Sequence, residues 1–204
     1  MAIITISGNT SGSISLSAPD ISGSNTLTLP VATDTLIGKA TTDTLTNKSI
    51  AATQLTGTIA AAAMPAGSVL QVVNASTSTE VSNATNTYVD TGLTATITPR
   101  SASSKIFVIV SQLIFKSSAN AGNQSGVRLV RDATDLGLIL AAQLYTNTAI
   151  EFYGNGGFNY LDSPATTSAT TYKTQFNNNN NTSAAIVQRG NVGKSTITLM
   201  EIQG

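Results

Sequence analysis

Single aliphatic residues set among Ser and Thr open the chain. Ile3-Ile4-Thr5-Ile6, Ser13-Ile14-Ser15-Leu16-Ser17 and Thr26-Leu27-Thr28-Leu29-Pro30 each read as a short strand. The last two keep the period of two that marks a half-buried strand. Ser7-Gly8, Ser11-Gly12 and Ser22-Gly23 separate them as turns. The pattern then changes. Thr33-Asp34-Thr35-Leu36-Ile37-Gly38-Lys39-Ala40 returns as Thr42-Asp43-Thr44-Leu45-Thr46-Asn47-Lys48-Ser49. Apart from the Leu36-Ile37 pair, apolar residues arrive here one at a time, so a single copy offers no second face to bury them against. Identical copies wound together would pool Leu36, Leu45, Ile50, Leu55 and Ile59 along a shared axis. Residues 54–63 are Ala-rich and read as a short helix that Pro65 stops.

Met64-Pro65-Ala66-Gly67 is the punctuation between two regions. Residues 1–65 read as an N-terminal anchor with a repeat-containing stalk, and residues 66–204 as a separate β-domain. In the second region the pattern predicts strands at 68–73, 87–98, 105–115, 126–131, 136–145, 150–160, 171–177, 184–188 and 196–202. The stretch 105–115 is the most apolar and should lie centrally in a sheet. This spacing of short strands suits a β-sandwich or jelly roll. The expected fold class is all-β: a short-stranded fibrous stalk, then a sandwich or jelly roll, in an intertwined homotrimer.

Composition narrows the chemistry. Charged residues are 10% of the chain, 10 basic against 10 acidic, where an ordinary soluble domain has roughly 25%. No basic footprint for nucleic acid or anionic lipid is visible. Hydrophobic residues are still 41%, enough for a packed core. The absence of Cys and His removes disulfides, Cys/His metal sites and the usual acid–base and thiol groups. No cofactor is expected. No apolar run is long enough for a membrane-spanning helix, and no secretory leader is visible.

Four local patterns invite chemical readings. Gly190 to Thr196 looks like the end of a phosphate-binding loop, but Gln188 stands where its first Gly belongs, and a strand pattern follows instead of a helix. Gly154-Asn155-Gly156-Gly157 reads as a hairpin turn, because Asn-Gly and Gly-Gly supply positive φ. Tyr145, Tyr153, Phe158, Tyr160 and Tyr172 crowd one third of the chain with Phe152 and Phe176. They are candidates for a glycan-binding or subunit-interface surface, against the plainer reading as core. Arg128 and Arg131 with Asp132 and Asp135 read as an ion-pair cluster at a strand end. A glycosidase carboxylate pair is the sharper alternative there.

Two stretches resemble segments of tailed-bacteriophage virion fibre and decoration proteins. Gly23-Ser24-Asn25-Thr26-Leu27-Thr28-Leu29-Pro30 with Val31-Ala32-Thr33-Asp34-Thr35-Leu36 is similar to a segment of phage fibres, and Thr42 to Ile50 to another stalk segment. Val69 to Val73, Thr87 to Leu93, Ile97-Thr98-Pro99 and Ser103 to Ile106 resemble β-domains of phage structural proteins. The resemblance spans about half the chain and brings no catalytic residues. It implies a non-enzymatic homotrimer, made in the host cytoplasm and displayed on the virion surface. Residues 1–65 would dock on a capsid or tail protein. The short chain favours a capsid head fibre over a tail fibre or receptor-binding protein. A small polysaccharide-binding or polysaccharide-degrading tailspike is the remoter alternative, with a host glycan as partner.

Overall fold

The computed structural model describes residues 3–7, 11–17, 49–51, 53, 56–57, 59–117, 121–180, 183–191 and 193–204. Its contacts divide the chain into Met1–Thr56 and Gly57–Gly204, a break upstream of the Pro-Gly punctuation. In the first unit, β1 (Ile3–Ser7) and β2 (Ser13–Ser17) form an antiparallel hairpin, with Ile3 opposite Ser17 and Ser7 opposite Ser13. The expected strand at 26–30 and most of the repeat lie outside the described residues. Of the expected helix at 54–63, the described part holds a 3-10 turn at Ala61–Ala63, and Gln54 and Leu55 lie outside it.

The second unit is all-β. Its strands are β3 (Val69–Thr77), β4 (Val81–Asn83), β5 (Val89–Ile97), β6 (Lys105–Lys116), β7 (Ser125–Arg131), β8 (Thr134–Gln143), β9 (Phe152–Asp162), β10 (Thr170–Asn178), β11 (Ala185–Val187) and β12 (Ser195–Ile202). One sheet runs β5-β10-β7-β8. The other runs β3-β12-β6, after which β6 pairs with β9 along its whole length and with β11 at its end. All these pairings are antiparallel. The apolar strand β6 is central, as its composition predicts.

The sheets share a core because period two turns one face of each strand inward. Leu93, Ala95, Ile97, Leu129 and Tyr172 of one sheet pack with Ile106, Val108, Val110, Ile197 and Leu199 of the other. A second cluster joins Ile114, Val127, Phe176, Ala185 and Val187, with Leu140, Leu144 and Phe158 at its margin. Polar residues bridge the sheets beside these clusters. Thr174 Oγ1 donates to Gln112 Oε1 (2.9 Å), and Gln112 Nε2 donates to Ser195 Oγ (2.9 Å). All three residues are buried, so each hydrogen bond offsets a desolvation cost that would otherwise stand.

The Gly154-Asn155-Gly156-Gly157 run corrects the sequence reading. It is not a turn. It lies within β9, paired residue by residue with Ile114, Leu113, Gln112 and Ser111 of β6. Two of the glycines leave room for neighbouring side chains: a Cβ on Gly156 would press on a Leu140 methyl and one on Gly154 on a Leu144 methyl, both from the β8 side. Gly156→Val should therefore cost about 1–3 kcal/mol by overpacking. Adding Leu140→Ala should recover roughly 1 kcal/mol by coupling. Urea denaturation of the single and double variants checks this, and additive losses would remove the close-approach role.

Glu201 is buried on the inner face of β12. Its oxygens accept from Gln71 Nε2 (2.6 Å) and from the Arg100 amide (2.7 Å). Burial works to raise its carboxyl, but these donors outweigh burial and hold it below the usual range. A depressed folded value stabilises the fold above the unfolded value of about 4.3. That contribution is lost as the pH falls through the folded value. Thermal melts between neutral pH and pH 2 should show this acid limb. In Glu201→Gln the limb should shrink, and an unchanged limb would assign the acid sensitivity elsewhere.

Candidate functional site

The charged residues near the β7–β8 turn sort into two groups on opposite sides of one sheet. Alternation along β7 sends Arg128 outward and Arg131 inward. Arg131 does not pair with Asp132 or Asp135. It reaches across to β9, where its Nη1 donates to both carboxylate oxygens of Asp162 (2.8 and 2.7 Å). Tyr172 Oη donates to the same carboxylate (2.6 Å). Burial and the neighbouring carboxylate push the Tyr172 hydroxyl well above the phenol range, so it stays a donor. This triad ties β7, β9 and β10 together.

Arg128 takes the outer face. It donates to Asp135 Oδ2 (2.6 Å) and to Gln175 Oε1 through Nε and Nη2 (2.9 and 2.6 Å), and its guanidinium lies 4.2 Å from the Tyr88 ring centre. Next to it, Lys173 and Gln175 donate to the two oxygens of Asp90 (2.9 and 2.7 Å). A shallow hollow of about 240 Å³ lies against Arg128, Val130, Asp132, Asp135 and Lys173. Its carboxylates are already engaged. Asp132 accepts from the Thr171 amide (2.8 Å) and Asp135 from the Gly137 amide (2.8 Å).

The aromatics also divide. Tyr172 is fully buried, and Phe158 and Tyr160 pack against the core from the inner face of β9. That corrects their reading as surface residues: period two places both on the same side as Asp162. Tyr145 and Tyr153 are half-exposed, with Ile150 and Phe152 between them. Tyr153 also covers Phe115, ring centres 4.6 Å apart. The 145–150 segment is held by Lys116, whose buried ammonium donates to the Thr146 hydroxyl and carbonyl, the Thr148 carbonyl and the Ala121 carbonyl. Burial pushes that ammonium's pKa down.

Neither glycine-rich motif forms a phosphate loop. The segment after β11 turns at Arg189–Asn191 and enters β12. The Gly190 amide donates to the Glu80 carboxylate (2.7 Å), so an acid occupies the place an anion would take. Ser195 is buried and bonded to Gln112 and the Leu113 amide. Lys194 is exposed. Of the expected axis residues, Ile50 and Ile59 are exposed within one chain; Leu36, Leu45 and Leu55 lie outside the described residues. Among the described residues no group of acidic side chains could hold a metal ion, and no helix is long and apolar enough to cross a membrane. No protein-family model matches the chain, and no curated protein matches it.

Proposed function

We propose that this chain is a non-enzymatic structural protein of a tailed-phage virion. It acts as a homotrimeric surface fibre, held on the particle through residues 1–65 and displaying a jelly-roll domain outward. The observation that carries the reading is the strand order. β3-β12-β6-β9 facing β5-β10-β7-β8 is the order of two interleaved Greek keys, an architecture recurrent in viral capsid and lectin domains. The repeat at 33–49, with its isolated aliphatics, supports a stalk that is completed by sister chains. The capsid surface is placed first because the jelly roll serves capsids so widely.

The half-exposed Tyr145, Phe152 and Tyr153 favour the second reading, a tail fibre whose display domain adheres to a host glycan. Gold-labelled antibody on intact particles separates the two: label on heads supports the first, label on tails the second. Label on neither would overturn both. A tailspike hydrolase is disfavoured because Asp132, Asp135 and Asp162 already hold structural partners. Purified protein should release no new reducing ends from host surface polysaccharide. Release that is lost in Asp132→Asn or Asp135→Asn would restore the enzyme.

A further inference from the structure

The two sheets present unlike outer faces. That of β5-β10-β7-β8 carries Asp90, Lys173, Arg128 and Asp135, all paired with one another or with neighbours. That of β3-β12-β6-β9 carries no ionisable side chain from the row of Val72 to the row of Ser76. Registers align Val72, Met200, Phe107 and Leu161 in a single row across all four strands. Ile109 stands next to this row on β6. Val72, Leu161 and Ile109 are 56%, 52% and 41% exposed, a continuous apolar band on a face that solvent alone would favour as polar. The other outward positions between those rows are Ser, Thr, Asn and Gly; the exposed Lys105 lies just outside them, next to Phe107 on β6.

We infer that this face is where copies of the chain's β-domain meet, three faces turned toward a common axis. The occupant is a second copy because of charge. Between these rows the face offers no ionisable group to a basic, acidic or phosphorylated partner, yet it meets its own image there without like-charge repulsion, the exposed Lys105 lying at its rim. Its apolar row gains by burial against an identical row, and its hydroxyl and amide rows supply both donors and acceptors. The contact rests on the trimer reading above and extends it: the trimer is then held by the display domain as well as by the stalk.

The chain has no native Cys, so single cysteines report cleanly in the full-length protein. Val72→Cys and Leu161→Cys sit on the band, and Thr94→Cys on the outer face of the other sheet is the exposed control. All three side chains are exposed in one chain, so the variants should fold. Maleimide should modify the two band cysteines at least about tenfold more slowly than the control, because access then requires opening of the contact. A short bis-maleimide should join chains at the band and not at the control. The sedimenting mass of each sample is measured alongside. Control-like reactivity in a trimer overturns the face and leaves the trimer reading intact. Control-like reactivity in a monomer overturns both. Slow reaction without links between chains means that a segment of the same chain covers the band, and that also overturns the inference.

Discussion

Replacing Arg131 by Met should destabilise the β-domain by about 3 kcal/mol, because it strands a buried carboxylate. Asp162 is almost wholly buried and Arg131 itself is partly exposed, so water recovers some of the loss. The effect arises less from the strength of the ion pair than from what remains without it. The Asp162 carboxylate keeps one donor, Tyr172, which is too little for a charge between two sheets. The same reasoning predicts a recovery. Arg131→Met with Asp162→Leu and Tyr172→Phe removes every orphaned polar group together, and should return to within about 1 kcal/mol of the parent. Guanidinium titrations of the single and triple variants decide it. A single variant as stable as the parent would show that the triad carries no structural weight.

Deleting residues 1–65 should abolish incorporation into particles while the β-domain keeps its strand signature in far-ultraviolet circular dichroism. The two clusters of buried residues lie wholly within residues 93–199, so the β-domain holds its own core. Complementing particles that lack the protein with the truncated and full chains gives the comparison. If residues 66–204 alone decorate such particles, the docking role passes to the β-domain.

Much of the β-domain was legible because its strands alternate. Thr91, Leu93, Ala95 and Ile97 are buried while Thr94 and Thr96 are exposed, and period two alone predicts this. β4 was missed: Val81–Asn83 is only three residues long, too short for any period. The glycine run in β9 misled because glycine marks both turns and close approaches, and Leu140 and Leu144, which decide between them, come from β8 and the turn that follows it. The Arg131 partner was illegible for a related reason. Asp132 and Asp135 are its neighbours in sequence, yet β7 points Arg131 between the two sheets, where the carboxylate within its reach is Asp162 of β9. The parity of β9 did hold a usable signal. Phe158, Tyr160 and Asp162 share one face, and Tyr153 and Leu161 the other. The apolar row on the outer face needed the strand registers, since Val72, Phe107, Leu161 and Met200 are far apart in sequence and unremarkable singly.

The claim on which the stalk, the docking region and the inter-copy face all depend is that three chains assemble. Sedimentation equilibrium of the full-length protein at micromolar concentration tests it most directly. The expected result is one species of three times the 20.9 kDa chain mass; a stable species at the single-chain mass would contradict it.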